Sequence, residues 1–183
     1  MAKTVDLTER KQFRVLLNPV RQEIVHLLRR VGRPMTVKRI AERMHLSPMA
    51  TQGHLKKLED MGIVIAQEHP TRSGGKVICY QMSDLEVRFC LGRKDAFQGE
   101  REALAASLVD GAFRGLLDSV HQCSEAELED YRKLQFGALH LPPQERRELA
   151  ALVEDYLSRH STPGTEEDEH WEYVLLAYRS PEE

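Results

Sequence analysis

The sequence predicts a mainly α-helical protein with a small β-hairpin, an α+β fold, and three observations support the prediction. Apolar residues recur at helical spacing through most of the chain, in runs opened by a capping residue or a proline. Two short apolar runs, Ile63–Ala66 and Lys76–Met82, flank a polar tip with two glycines, which is typical of a hairpin. Residues 1–95 hold 18 Lys and Arg against 10 Asp and Glu, whereas residues 96–183 hold 8 against 19. A basic first half, of net charge +8, is therefore joined to an acidic second half, of −11.

The first two helices are predicted from the residues at their ends. A helix from Asp6 to Leu17 would start with a capping box, because Glu9 follows Asp6 by three residues. Asn18 and Pro19 then provide an N-cap and a first helical residue for a second helix, where the missing proline N–H has no helical partner to lose. Gly32 ends this second helix.

Two short helices and the hairpin follow directly. Thr36 caps the first of these helices, and Ser47 with Pro48 opens the second, which ends at Gly62. The inward face of the second helix is predicted to be Ala50, Thr51, Leu55, Leu58 and Met61. Two helices around a tight turn, followed by a hairpin with a long loop, form the pattern of a winged helix-turn-helix. Such a unit places one helix in a groove of double-stranded DNA.

The outward face of that second helix supplies the candidate DNA contacts, because base edges in the major groove are read by exposed helix side chains. Gln52 can pair with adenine, Met49 can contact a thymine methyl group, and Gly53 leaves room for close approach of the backbone. Flanking cationic and polar residues, including those of the hairpin tip, would contact phosphates or the minor groove. The predicted DNA contacts are Lys38, Arg39, Ser47, Pro48, Met49, Gln52, Gly53, His54, Lys56, Lys57, Arg72, Ser73 and Lys76.

The second half of the chain is predicted to be mainly helical. Ser83 with Glu86 would cap a short helix, and the change in sign of charge after residue 92 suggests a DNA-binding domain over 1–92. Residues 93–183 would then form a dimerisation domain that also carries any effector site. A long helix is expected from Ala96 to about Val120, with an apolar stripe suited to a second chain. The dimerisation residues on that stripe are Phe97, Leu104, Leu108 and Leu116.

Shorter elements are predicted towards the C-terminus. They are a short helix capped by Ser124 and Glu127, a strand over Phe136–Leu141, a helix over 143–159 and a final strand over Trp171–Tyr178. Four aromatic residues of these elements are either the lining of a small-molecule effector pocket or simply core residues. They are Phe136, Tyr156, Trp171 and Tyr173.

Three segments, in this order and spacing, resemble the ArsR-type winged-helix transcriptional regulators of prokaryotes. They are NPVRQEIVHLLRR, which starts at Asn18, LSPMATQGHLKKLEDMGIV, which starts at Leu46, and RSGGKVICYQM, which starts at Arg72. The resemblance covers about residues 15–90, and the tail from LHLPPQ onwards is similar to that of longer members. It implies a homodimer that reads an inverted repeat, with the flanking helices in the dimer contact. We therefore predict a transcriptional regulator, specifically a repressor.

Other functions find less support in the sequence. The Cys-x-Cys motif of metal-sensing members is absent, and His121 with Cys123 supplies too few ligands for a tetrahedral metal site, so no metal or cofactor is predicted. Cys79 and Cys90 are either redox-active or small buried hydrophobes. We find no sequence signature of an enzyme, and no apolar run long enough to span a bilayer, so we expect a cytoplasmic protein. The alternative is a winged helix that binds a protein rather than DNA.

Overall fold

The computed structural model describes residues 3–71, 74–88, 90–126, 135, 137–161 and 169–179. The chain divides into two compact units, Met1–Leu108 and Val109–Glu183, which we call the N-terminal and the C-terminal unit. The predicted domain boundary after residue 92 lies inside the first unit and stays a prediction. None of the helices in the described ranges is both long and apolar enough to cross a membrane.

The predicted mixed α+β class is confirmed. The helices are α1 (Arg10–Leu16), α2 (Pro19–Val31), α3 (Val37–Met44), α4 (Pro48–Asp60), α5 (Gln98–Gln122) and α6 (Pro143–Arg159). The strands are β1 (Lys3–Asp6), β2 (Met35–Thr36), β3 (Val64–Pro70), β4 (Lys76–Met82) and β5 (Leu85–Arg88). Strands β2, β4 and β3 form an antiparallel sheet in that order, and β1 pairs with β5 in parallel.

The predicted helix starts hold where a short polar side chain precedes the helix. The Oδ1 of Asn18 accepts from the backbone N–H of Arg21 at 3.2 Å, and Pro19 occupies the first turn. The Oγ1 of Thr36 accepts from the N–H of Arg39, also at 3.2 Å. Each cap satisfies an N–H that the helix itself leaves unpaired.

Two predictions at the edges of the N-terminal unit are wrong. Asp6 lies in β1, and the N-cap of α1 is Glu9, which exchanges hydrogen bonds with Gln12 in a capping box. Ser83 does not start a helix, because its hydroxyl donates to the carbonyls of residues 62 and 63 and the chain continues as β5. Both errors have one cause, since β1 and β5 form by pairing with each other and local patterns carry no sign of a distant strand.

The N-terminal unit has a continuous apolar core. It is built from α2, α3 and α4, which pack on the three-stranded sheet, and it includes Ile24, Leu28, Ile40, Leu55 and Leu58. A second cluster joins Leu7, Phe13 and Leu104, with Phe97 packed against it.

This second cluster corrects the predicted dimerisation stripe on α5. Leu104 is buried within its own chain, and the Phe97 ring lies 5.9 Å from that of Phe13. Both side chains are therefore packed against residues of the same chain. Leu108 is 46% exposed and Leu116 is half-buried, so they are the members of the stripe that remain accessible.

The C-terminal unit differs from its predicted form. Helix α6 matches the prediction, but residues 137–141 and 171–178 have no regular structure instead of the predicted strands. An apolar alternation forms a strand only when another strand pairs with its backbone groups, and neither segment has such a partner among the described residues. Phe136 and Glu127 lie outside the described residues, as does most of the short helix predicted after Ser124.

Candidate nucleic-acid interface

Arg21, on α2, binds the C-terminal end of α1. Its Nε donates to the carbonyl of Val15 at 2.6 Å, and its Nη2 donates to that of Arg14 at 2.7 Å. Gln22 adds a bond from Nε2 to the carbonyl of Leu16 at 2.8 Å. These side chains satisfy the free carbonyls at the C-terminal end of α1, where a positive charge is also favoured by the helix dipole. Helix α1 is thereby fixed against α2.

The turn between α3 and α4 depends on an unusual backbone conformation at His45. This residue has φ 53° and ψ 40°, the left-handed region that side chains other than glycine rarely adopt. It ends α3, and the next N–H, of Leu46, donates to the carbonyl of Ala41 at 2.9 Å. The reversal leads directly into Ser47, the first residue of the candidate interface.

Helix α4 is fixed at its start by two hydroxyl groups. The Oγ of Ser47 accepts from the N–H of Ala50 at 3.2 Å, and the Oγ1 of Thr51 donates to the carbonyl of Ser47 at 3.0 Å. Thr51, Leu55 and Leu58 are buried as predicted, whereas Ala50 is exposed and was wrongly placed on the inward face. Since Ala50 lies one residue, about 100° of helical rotation, before Thr51, the buried face is narrower than predicted.

The predicted base-reading residues lie on the exposed face of α4. Met49 is 86% exposed, and it is therefore a surface residue and not part of the core. Pro48, Gln52 and Gly53 are exposed as well, and nothing lies within 4 Å of a Cβ built on Gly53. The first two turns of α4 thus present a small apolar group, an amide and a bare stretch of backbone to solvent.

The predicted phosphate-binding cations fall into two classes. Lys56 is 3.3 Å from both Glu59 and Asp60, and hydrogen bonds to these carboxylates raise its pKa. Lys38 and Lys76 have similar acidic neighbours, Glu42 at 4.0 Å and Glu68 at 2.7 Å respectively. Arg39 and Lys57, by contrast, are exposed and form no ion pair within the described part of the chain. Among the described members of the predicted set, the uncompensated positive charge is therefore concentrated at Arg39 and Lys57.

His54 differs from the predicted cationic contact. It is half-buried, and its Nδ1 is buried without a partner among the described residues. Burial lowers the pKa of the ring, and the nearby charges of Arg21 and Lys57 lower it further. His54 is therefore neutral at pH 7 and does not add a positive charge to the exposed face of α4.

The wing consists of β3, β4 and the loop between them. The two strands pair from Val64 opposite Met82 to Pro70 opposite Lys76, so Lys76 lies at the end of the ladder, beside the tip. At the loop base, the Oγ1 of Thr71 accepts from the N–H of Gly75 at 3.0 Å. Arg72 and Ser73 lie outside the described residues, and their predicted contacts stay predictions.

One contact between α4 and the sheet was missed by the sequence reasoning. The Nε2 of Gln52 donates to the hydroxyl of Tyr80 at 3.2 Å, across 28 residues of sequence. Tyr80 lies on β4, the central strand of the sheet, and is 2% exposed. Helical periodicity predicts the exposure of Gln52 on α4, and strand alternation predicts the side of the sheet on which Tyr80 lies. Neither pattern predicts how α4 packs on β4.

Among the described residues, the cysteines and the C-terminal aromatic side chains do not form a recognisable site. Cys79 is buried, Cys90 is exposed and Cys123 is half-buried, and no disulfide joins any two of them. Within the described ranges no three His, Cys, Asp or Glu side chains are placed to hold a metal ion. Trp171 and Tyr173 are exposed, and the effector pocket stays a prediction. The C-terminal unit instead has an open groove of about 400 Å³, lined by Leu139, Leu141, Glu145, Glu148, Leu149 and Leu152.

Residues 18–66, from the N-cap of α2 to the middle of β3, match the family model for bacterial regulatory proteins of the arsR family. This segment is an ArsR-family helix-turn-helix. The chain is accordingly a DNA-binding transcriptional regulator, and the family is one of regulators rather than enzymes. No curated protein sequence matches the chain.

Several solved structures are similar to part of this chain. The reduced form of the transcriptional regulator YodB from B. subtilis is 19% identical, with 65% of this chain and 100% of that chain covered and a TM-score of 0.37. ZitR of Lactococcus lactis, as an apo mutant, is 19% identical, with 79% and 87% covered and a TM-score of 0.34. The ST1889 protein of the archaeon Sulfolobus tokodaii is 15% identical, with 57% and 91% covered and a TM-score of 0.34. The assignment rests on the match to residues 18–66 rather than on these likenesses.

Proposed function

We propose that the protein binds a specific inverted repeat in double-stranded DNA as a homodimer and represses transcription from it. The observation that carries the proposal is the exposed face of α4, where Met49 and Gln52 are accessible beside the unpaired cation of Lys57. Exposed helix side chains that differ in chemistry can discriminate bases, and free cations can replace the counterions of phosphates.

The two roles divide between different residues of this surface. Met49, Gln52 and the bare backbone at Gly53 lie in the first half of α4 and would face the major groove. Arg39 of α3 and Lys57, further along α4, would contact phosphates. Arg72, Ser73 and Lys76 of the wing would follow the backbone or the minor groove.

The homodimer is supported by apolar surface outside the DNA-binding face. Leu108 and Leu116 remain accessible on α5, and Phe113 and Leu117 on the same helix are also exposed. In the C-terminal unit none of the described residues is buried. Burial of apolar area is the main favourable term in both folding and association, so a second copy would stabilise this surface.

The first experiment is the selection of bound sequences from a random duplex pool by the purified full-length chain at near-physiological salt. We expect an enriched palindrome whose half-sites lie about one helical turn apart. Insertion of that palindrome into a reporter promoter should lower transcription when the protein is present. Weak binding without enrichment would contradict the proposal and favour a winged helix that binds a protein.

The phosphate contacts are tested by a matched pair of lysines on α4. Lys57→Ala should weaken binding to all sequences and reduce the slope of log affinity against log salt by about 1, because one phosphate contact is lost. Lys56→Ala should change the slope much less, because Glu59 and Asp60 already compensate that charge. Titrations at several salt concentrations measure both slopes. A slope for Lys57→Ala equal to that of wild type would mean that Lys57 does not contact phosphates.

The dimer is tested on α5. Leu108→Asp should convert the protein to a monomer, because a carboxylate would replace an apolar contact. The control is Ala106→Asp, which adds the same charge at another exposed position of the helix. Sedimentation velocity reports the oligomeric state, and emission from Trp171, the single tryptophan, reports whether its exposed ring becomes covered. If the Leu108→Asp variant still sediments as a dimer, the dimer interface does not include Leu108.

A further inference from the structure

We propose that Tyr80 is a positioning residue for base recognition, which holds the amide of Gln52 in the orientation that reads adenine. The inference rests on the proposed function, because it assigns a second residue to the same reading surface. Its basis is the hydrogen bond from Gln52 Nε2 to the Tyr80 hydroxyl at 3.2 Å.

Tyr80 has a fixed position, so its hydroxyl can hold an exposed side chain in place through a hydrogen bond. Its backbone pairs on both sides, with Met35 of β2 and with Ala66 of β3, and its ring is buried in the apolar core. The hydroxyl therefore has a position set by the sheet rather than by solvent. A long glutamine side chain on an exposed helix face would otherwise populate several rotamers, and it would lose that freedom on binding DNA.

The anchoring bond also determines which amide atoms face outward. An amide has two N–H donors and a carbonyl acceptor, and the Tyr80 hydroxyl takes up one of the donors. The Oε1 and the second N–H remain for the DNA. That acceptor–donor pair matches the N6 amino group and N7 of adenine in the major groove, whereas a flipped amide would not. Tyr80 would thus contribute to specificity without touching the DNA.

The test uses five forms of the full-length chain: wild type, Tyr80→Phe, Gln52→Ala, the double variant and Thr51→Val. Tyr80→Phe keeps the buried ring and removes only the hydroxyl. Thr51→Val is the matched control, because it also removes a buried hydroxyl from the base of α4 but leaves the Gln52–Tyr80 bond intact. Each form is put through the duplex selection, and its midpoint of thermal unfolding is measured.

We expect wild type to select adenine at one position of each half-site. Tyr80→Phe should reduce that preference by at least about threefold, the scale of one hydrogen bond, and leave the other positions unchanged. Gln52→Ala should relax the same position, and Tyr80→Phe should have no further effect in the Gln52→Ala background. Thr51→Val should change the midpoint of unfolding without changing the selected sequence.

The unfavourable outcomes are distinguishable. If wild type selects a palindrome and Tyr80→Phe selects the same one with equal stringency, Tyr80 is only a core residue and the inference is overturned. It is also overturned if Tyr80→Phe and Thr51→Val relax all positions alike. If wild type selects no sequence, the proposed function itself fails, and this assignment fails with it.

Discussion

Helices α2 and α6 show how differently the two units use the same kind of sequence. Both are amphipathic and start with a proline in the first turn, yet α2 buries four residues and α6 buries none. Helix α2 is surrounded by α1, α3, α4 and β4, whereas α6 keeps Leu152 at 67% exposure. Helical periodicity therefore predicts that a helix exists, and the packing partners decide whether its apolar face contributes to stability.

The difference extends to charge. The unit with the buried core carries the basic surface and an ArsR-family helix-turn-helix, while the acidic residues accumulate in the second half of the chain. A rigid core holds the reading helix in place, which a specific contact with bases requires. The acidic half would be repelled by DNA, so we expect its exposed apolar surface to bind protein instead.

The largest expected effect is on the free energy of unfolding, when one leucine from each unit is replaced by alanine. Leu28→Ala should lower the free energy of unfolding by about 2–5 kcal/mol, because it opens a cavity in the core. Leu152→Ala should change it by less than about 0.5 kcal/mol in the monomer, because the side chain is already in water. Urea denaturation followed by circular dichroism measures both. A large loss for Leu152→Ala would show that α6 is covered in solution.

An intermediate effect is expected at two open glycines on helices. Gly53→Ala and Gly111→Ala should each stabilise the protein by about 0.5–1 kcal/mol, since alanine favours a helix and a Cβ meets nothing within 4 Å at either site. Only Gly53→Ala should weaken DNA binding, because its methyl group would stand on the reading surface. Thermal unfolding and DNA titration separate the two properties. Unchanged DNA affinity for Gly53→Ala would mean that the backbone there does not approach the duplex.

The smallest effect concerns pH. Burial, followed by the charges of Arg21 and Lys57, lowers the pKa of His54 in the folded protein, so the unfolded chain binds its proton more readily. Neutral His54 contributes to the free energy of unfolding at a pH above its ordinary pKa, and this contribution is lost as the pH falls below that pKa. Between about pH 7.5 and pH 5.5 the midpoint of unfolding should fall more in wild type than in His54→Gln. The exposed His140→Gln is the control, and an equal fall in both variants would contradict the assignment.

The sequence predicted most of the N-terminal unit because its signals are local. Asn18, Thr36 and Ser47 cap the helices that follow them, and the wing strands are neighbours in the sequence. It failed where structure depends on distant partners. The pairing of β1 with β5, the burial of Leu104 against Phe13 and the bond between Gln52 and Tyr80 all join residues that no local pattern relates.

The candidate site was predicted in outline and corrected in detail. Exposure of Met49, Gln52 and Gly53 follows from helical phase, which the sequence contains. The ion pairs that compensate the charge of Lys56, and the burial that keeps His54 neutral, depend on neighbours in the folded structure. The C-terminal strands were predicted from alternation alone, and alternation does not supply the hydrogen-bonding partner that a strand needs.

The parallel pair of β1 and β5 has a consequence for how the N-terminal unit assembles. Lys3 lies opposite Leu85, so the pair closes a loop that contains the helix-turn-helix and the wing. The entropy lost in closing so long a loop favours formation of this pair late in folding, and four residues per strand make it weak on its own. We therefore expect the pair to open by itself while the helices stay intact, and its amide hydrogens to exchange with solvent earlier than those of α2 and α4.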